Sequence, residues 1–474
     1  MSHGWNIKSS RSKPIRSLSH SGSAQTVPSR NLPIATPMIA FLWMIYTSFL
    51  FEQALSVHPV MWQDSTAYAA VASSSPLSTS FWAGARPPFV PLVMRMVGSG
   101  NGFIILQTAV AAVAWGLLVV SVGLHVRKGT CRVIAAVLVL GIASSNPVTL
   151  WNCSVLSESF AISALALMVS ALLWTAKGIT TTRIFITSGA ALCFAATRDS
   201  DIATVAFIAV GCYVLSFTLR RVNLRQAAQW ELLSVILLSV VLATGAGVII
   251  SGRVAANVAD VYSVRIFPFP NRVNWFAAHG MPQATAIDEL AGASPASSSD
   301  TSKTLFILGT TKFVRLDRWF VSRGGSTYLL YLLTHPGYDF TAPLARPELS
   351  YNYAHGNLYF YQAQGWTNFP ASELFWPPLP ELIVLAVITA AVTIWRRSWR
   401  NLPWRVTVMI TVIGVLTMFV AWHGDGQETT RHTLEGFVEV RLGLWLALAL
   451  GTLGRSNTYS SHTLGHCLVI NPEI

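Results

Sequence analysis

The segment from residue 102 to residue 125 reads GFIILQTAVAAVAWGLLVVSVGLH and contains no Asp, Glu, Lys or Arg. An α-helix rises about 1.5 Å per residue, so roughly 20 apolar residues cross the hydrocarbon core of a bilayer. This segment is long enough and apolar enough to do so. It therefore predicts a membrane-spanning helix.

Similar apolar runs recur along the whole chain. Of the 474 residues, 52% are hydrophobic and 11% are charged, whereas a soluble domain has about 25% charged residues. Ten candidate spans lie at 34–55, 102–125, 132–150, 159–176, 183–198, 202–219, 230–250, 379–396, 404–422 and 437–454. The run at 183–198 is short and polar, and the run at 132–150 has Asn146 and Pro147 near its end. The sequence predicts an all-α, multi-pass integral membrane protein with about ten transmembrane helices.

Basic residues mark the cytoplasmic side of such a protein because short cytoplasmic loops are enriched in Lys and Arg. Here they cluster in the N-terminal tail and in alternate short loops, at 127–132, 177–183, 220–225 and 396–405. The net charge of +12 is therefore a topology signal, and we expect no nucleic-acid partner. Both termini are predicted to be cytoplasmic.

This orientation divides the chain into five predicted parts. They are a disordered basic tail at 1–33, an N-terminal transmembrane module at 34–250 with a large first outer loop at 56–101, an extracytoplasmic α-rich insertion at 251–378, a C-terminal transmembrane module at 379–454 with an outer loop at 423–436, and a cytoplasmic tail at 455–474. Within the insertion, amphipathic helices are predicted around 311–320 and 328–333, a flexible strip at 286–303, and an aromatic-rich run at 351–376.

The first outer loop places a lone carboxylate and a guanidinium near the membrane. Asp64 is the only acid between Glu52 and Glu158, and Arg86 follows in an aromatic and proline-rich stretch. Two interpretations of Asp64 are open: a catalytic base, or an N-cap that starts a short interfacial helix.

Charged residues also mark the next two outer loops. Glu158 follows Ser157, and it either interacts with the positive end of a helix capped by Ser157 or serves a polar site. The turn after it contains Arg198, Asp199 and Asp201, in which Arg198 either closes the turn by pairing with a neighbouring acid or faces a cavity.

The last outer loop, at 423–436, carries Glu428, Arg431 and His432 between two spans. So many charges in a tight loop favour a functional role over a passive turn, although a loop salt bridge remains the alternative. Oxygen ligands for a divalent cation are available from Glu158, Asp199, Asp201 and Glu428. Metal dependence is left open at this stage.

Several common sources of chemistry are missing from the sequence. The five cysteines are scattered, and no CxxC, HExxH, GxSxG or phosphate-binding glycine-rich motif is present. A nucleotide-driven activity is therefore not expected.

The predicted outer loops of this chain resemble those of the GT-C superfamily of membrane glycosyltransferases. The resemblance rests on Asp64 soon after the first span, Arg86-Pro87-Pro88, Asn146-Pro147 with Glu158-Ser159, Arg198-Asp199 and the late loop at 428–432. Many members carry two adjacent acids in the first outer loop, whereas this chain has Gln63-Asp64. The resemblance implies a polyprenyl-phosphate-linked sugar donor, a glycan, lipid or protein acceptor on the extracytoplasmic face of the cell envelope, and an essential acid at Asp64.

The chemistry of the residues agrees with that expectation. An acceptor hydroxyl must lose a proton as it attacks the anomeric carbon, which suits Asp64. A departing lipid phosphate needs fixed cations, which Arg431 and His432, with Arg86 or Arg198, would supply. The alternative functions are a transporter or flippase for a lipid-linked sugar, and a non-catalytic membrane scaffold.

Overall fold

The computed structural model describes residues 35–127, 129–282, 314–345, 372–424, 426 and 429–454. Within these ranges the protein is helical, and β-structure is limited to two isolated bridges, Val60 with Ser154 and Val126 with Gly454. The predicted all-α membrane class is therefore confirmed.

Eight helices in the described ranges are long and apolar enough to span a membrane. In chain order they are α1 (Ala35–Ser56), α5 (Asn101–Gly123), α8 (Glu158–Ala176), α10 (Asp199–Leu219), α11 (Leu224–Ile250), α18 (Leu379–Arg396), α19 (Leu402–Gly424) and α21 (Leu434–Leu453). Each coincides with one of the ten predicted runs.

The remaining two predicted spans are irregular. The run at 132–150 is a bent pair, in which α6 (Thr130–Ala143) meets the segment Asn146–Cys153 at 59°. Counted as one span, this pair makes a ninth. The run at 183–198 is a helix of only 15 residues, α9 (Thr181–Ala195). The described residues therefore contain eight or nine candidate spans, close to the predicted number of about ten.

The bend between α6 and the following segment has a local cause, and the backbone beyond the bend has a buried hydrogen-bond partner. Pro147 lies in the first turn of α7 (Asn146–Thr149) and has no N–H to continue the hydrogen bonds of α6. The Nε2 of Gln107, which is buried on α5, lies 2.6 Å from the carbonyl oxygen of Asn152 and 3.1 Å from that of Ser154. Irregular backbone at membrane depth requires such partners inside the protein.

The loops gather at two ends of the bundle. At one end Arg127 N–H donates to the Leu453 carbonyl at 3.0 Å, and Arg405 Nη1 donates to Thr218 Oγ1 at 3.1 Å. These segments adjoin loops that the basic residues predict to be cytoplasmic. The start of α21, about 30 Å away along a helix of 20 residues, lies among the predicted outer loops.

Short helices build the end that is predicted to be outer. Between α1 and α5 lie α2 (Gln63–Ser73), α3 (Thr79–Trp82) and α4 (Phe89–Val97). The insertion contributes α12 (Arg253–Arg265), α13 (Pro270–Ala278), α14 (Val314–Trp319), a π-helical turn at Phe320–Gly324, α15 (Gly325–Thr334) and α16 (Pro336–Leu344). Then follow α17 (Ser372–Phe375), before α18, and α20 (Thr429–His432), before α21.

The insertion has a hydrophobic cluster of its own, separate from that of the bundle. Tyr262 is fully buried at its centre and packs edge-on against Phe276, Trp319 and Phe320. The predicted flexible strip and most of the aromatic run lie outside the described residues. The amphipathic pieces predicted in this part of the chain are helical from Val314 onward.

Glycines let α19 and α21 approach backbone to backbone. A Cβ added at Gly414 would lie 2.7 Å from Glu439 Cβ and 2.8 Å from the Gly436 carbonyl oxygen. Small residues at contact points are the usual way for membrane helices to pack closely. This close contact holds Glu435 and Glu439 of α21 against α19.

We expect Gly414→Ala to lower the thermal unfolding midpoint of the detergent-solubilised protein, because overpacking costs about 1–3 kcal/mol. Gly245→Ala is a matched control, since Gly245 is also in a spanning helix but has no atom within 4 Å of an added Cβ. There, alanine should be neutral or stabilise by up to about 1 kcal/mol through helix propensity. Equal midpoints for the two variants would contradict the close α19–α21 contact.

Candidate functional site

Asp64 lies in the first turn of α2, where its carboxylate contacts two arginines. Trp62 occupies the N-cap position, and Ser65 Oγ accepts the Trp62 N–H at 2.9 Å while donating to the Val155 carbonyl at 2.7 Å. The helix-cap interpretation of Asp64 is therefore wrong. Its Oδ1 accepts a hydrogen bond from Arg86, and its Oδ2 lies 2.8 Å from Arg431 Nη2.

Arg431 connects the segment after α1 to the start of α8. Besides contacting Asp64, it donates through Nε to Oε1 of Glu158, the first residue of α8. Glu158 is fully buried and the Arg431 side chain is 5% exposed. The loop that carries Arg431 is thereby joined to two other loops at this end of the bundle.

Arg198 extends the same network. Its Nη1 donates to Oε1 of Glu435, and its Nη2 lies 3.7 Å from Oε1 of Glu158 and 2.7 Å from Nδ1 of His432. The interpretation that Arg198 pairs with a neighbouring acid to close its own turn is therefore wrong. Asp199 instead accepts two hydrogen bonds from Arg253, at 2.8 and 3.0 Å.

We call Asp64, Arg86, Glu158, Arg198, Arg431 and Glu435 the ion-pair network. Five of these are residues that the sequence singles out as candidates, and the structure brings them into continuous contact. Glu435 and Arg253 were not among the predicted site residues. Glu435 lies within the charged loop at 423–436, so its position was a usable signal, whereas nothing in the sequence around Arg253 distinguishes it.

Burial and charge determine how the network ionises. Burial favours a higher pKa for Asp64, but the guanidinium groups of Arg431 and Arg86 outweigh it and hold the pKa of this carboxyl below its ordinary value. For Arg198, burial favours a lower pKa, but the carboxylates of Glu435 and Glu158 raise it above the ordinary value. Asp64 is thus a carboxylate and Arg198 a cation at neutral pH.

His432 lies beside Arg198 in the folded protein. Its Nδ1 is 2.7 Å from Arg198 Nη2, so the structure places this candidate in contact with the buried part of the site.

The predicted divalent-cation ligands do not converge in the described part of the chain. No group of three or more His, Cys, Asp or Glu residues there has an arrangement that could hold a metal ion. Asp199 pairs with Arg253, and Asp201 accepts a hydrogen bond from Thr197 at 2.7 Å. Glu428 lies outside the described residues.

The side chains at the two edges of the ion-pair network differ in their exposure to solvent. The side chains of Arg86 and Asp64 are 35% and 19% exposed, whereas those of Arg198 and Glu435 are 6% and 1% exposed. Arg86 also lies over the ring of Tyr68, 5.6 Å from its centroid. A ligand that approaches the network therefore meets Arg86 and Asp64 first.

Two apolar grooves open elsewhere on the bundle, with volumes of about 380 and 290 Å³. The first lies between α10 and α19, and the second lies among α18, α19 and α21. Neither contains a residue of the ion-pair network. Their lining of aliphatic side chains is typical of a surface that faces lipid.

No family model, curated protein or solved structure matches this chain. Its function is therefore inferred from the chemistry of the ion-pair network.

We expect Glu158→Gln to destabilise the protein by about 3–5 kcal/mol, because it leaves Arg431 and Arg198 with less compensation in a buried site. Glu231→Gln is the control, since Glu231 pairs with Arg220 at a site where both side chains are at least 30% exposed. Breaking that pair should cost less than about 1 kcal/mol. Thermal unfolding in detergent measures both, and equal losses would show that Glu158 is not a structural centre of the network.

Proposed function

We propose that this protein is a membrane glycosyltransferase that moves a sugar from a polyprenyl-phosphate carrier to a hydroxyl group of an extracytoplasmic glycan, lipid or protein. The observation that carries the proposal is an ionised, partly exposed carboxylate, Asp64, held among guanidinium groups at the predicted outer end of the bundle. The resemblance to GT-C enzymes supports the same assignment.

The reaction requires a base and an anion site close together. The acceptor oxygen forms a new bond to the anomeric carbon as the bond from that carbon to the phosphate oxygen breaks. The bonding electron pair leaves with the lipid phosphate, and the acceptor proton passes to the Asp64 carboxylate. Arginine suits the phosphate because its planar group forms paired hydrogen bonds with phosphate oxygens.

The exposure gradient suggests which arginine receives the phosphate first. Arg86 is the most exposed of the three arginines in the network, and it already contacts Asp64. Arg431 and Arg198 lie deeper and are bound to Glu158 and Glu435. We assign Arg86 to first contact with the donor phosphate, and Arg431 to holding Asp64 in position beside it.

A transporter or flippase for a lipid-linked sugar is the second candidate, favoured by the bent segment at 130–153. Discontinuous helices commonly form substrate sites in transporters, but near the membrane midplane. Here the charged residues lie instead where several helices begin, at one end of the bundle. That placement favours a reaction at the membrane surface.

Donor use separates these candidates. Purified protein in lipid nanodiscs should transfer sugar from a polyprenyl-phosphate sugar to an added acceptor, and should not use a nucleotide sugar. The reason is that the sequence has no nucleotide-binding motif, whereas the network offers guanidinium groups for a single phosphate. Transfer from a nucleotide sugar without lipid carrier would overturn the proposal, and movement of intact donor across a vesicle bilayer would support the flippase.

For the base, we expect Asp64→Asn to reduce the transfer rate by roughly 10²- to 10⁴-fold, because an amide cannot accept the acceptor proton. Asp317→Asn is a matched control, since Asp317 is exposed on α14. Single-turnover rates are normalised to folded protein by gel filtration, and donor binding is measured in parallel. Turnover of Asp64→Asn within a few-fold of wild type, with normal donor binding, would exclude Asp64 as the base.

A further inference from the structure

Two buried carboxylates lie next to the ion-pair network on its bundle side, and neither has a cationic partner. Asp201 on α10 is 1% exposed and Glu439 on α21 is 0% exposed. Among the described residues no ion pair includes either of them, and neither oxygen of Glu439 has a hydrogen-bond partner. An ionised carboxylate in such a position would be strongly destabilising, so the group is expected to bind a proton.

The hydrogen-bond partners of Asp201 are hydroxyl groups. Thr197 Oγ1 lies 2.7 Å from Oδ2, and Ser200 Oγ lies 3.3 Å from Oδ1. Arg198 and Glu435 also face Asp201, but the ion pairs of Arg198 are with Glu435 and Glu158. Asp201 is therefore buried with hydroxyl partners and without an ion pair of its own.

The carboxyl groups around the network fall into two classes. Asp64, Glu158 and Glu435 each contact a guanidinium group of Arg86, Arg198 or Arg431. Asp201 and Glu439 have no such contact among the described residues.

The groups that face Glu439 bring no cation to it. On its own helix Glu435 lies one turn away and is paired with Arg198, while Asp201 faces it from α10. From α19 it meets Thr417, whose Oγ1 pairs with Thr204 Oγ1 at 2.9 Å. Arg441, two residues further along α21, binds elsewhere: its Nη2 donates to the Pro377 carbonyl at 2.9 Å, and its guanidinium lies 4.4 Å from the ring centroid of Trp376.

We propose that Asp201 and Glu439 form a buried proton-binding pair, in which each carboxyl is protonated at neutral pH. The ligand of this site is the proton. A sodium ion would offset the same charge, but the described residues contain no group of three acids, histidines or cysteines arranged to hold a metal. The inference goes beyond the proposed transferase activity and does not depend on it, since it follows from burial and charge alone.

Infrared spectroscopy of the purified protein tests the pair. A protonated carboxyl has a C=O stretching band that a carboxylate lacks. At neutral pH the wild-type band should weaken in Glu439→Gln and again in Asp201→Asn, each replacing one protonated acid with a neutral amide of similar shape. Glu231→Gln, which removes an exposed and paired acid, should leave the band unchanged.

Thermal unfolding gives an independent readout. Because Glu439→Gln replaces a neutral group with a neutral group, the midpoint should stay at the wild-type value, whereas a clear increase would mean that an ionised carboxylate had been removed. A band that is unchanged in both variants, or one that appears only when sodium is withheld, would overturn the proposal. If neither variant folds, the wild-type spectrum decides, because absence of the band at neutral pH contradicts protonated acids.

Discussion

The contact between Arg431 and its two carboxylates joins three parts of the chain that are far apart in sequence. Asp64 follows the first span, Glu158 begins α8, and Arg431 lies just before the last span. In water such pairs would contribute little, but partial burial weakens solvent screening and makes each unpaired charge costly. Charge neutralisation therefore helps to hold three distant spans together at this end of the bundle.

Close helix packing makes this contact possible. Gly414 and Gly436 allow the backbones of α19 and α21 to touch, which brings Glu435 within reach of Arg198 from the start of α10. A larger residue at either glycine would separate the helices and, with them, the charges. The apolar packing of the bundle and the polar network at its end thus depend on the same few residues.

The sequence was sufficient for the fold class because membrane helices are specified by length and apolarity, which are local properties. Its errors lie where local properties conflict: Pro147 bends one predicted span, and α9 is too short to be a regular one. The choice of ion-pair partners is not a local property. Arg198 has acids immediately after it in sequence, yet it binds Glu435, 237 positions away.

The same reasoning explains what the sequence could reveal of the candidate site. Charged residues in short outer loops of an apolar chain are conspicuous, so most members of the network could be identified as candidates. Their roles could not be assigned in the same way, because the sequence also allowed Asp64 to be a helix cap, and only the structure shows Trp62 at that position. Arg253 was not identified because its significance depends on Asp199, which it meets only in the folded protein.

The distribution of exposure across the network gives the site a direction. At one edge Asp64 and Arg86 remain partly accessible, so a charged substrate can replace one partner of their ion pair at a modest cost in free energy. At the other edge Asp201 and Glu439 are enclosed and have no ion pair among the described residues. Arg431, Glu158, Arg198 and Glu435 lie between these edges in continuous contact. The ion pairs therefore separate an accessible edge, where a charged ligand can reach Asp64 and Arg86, from an enclosed edge of acids that lack ion-pair partners.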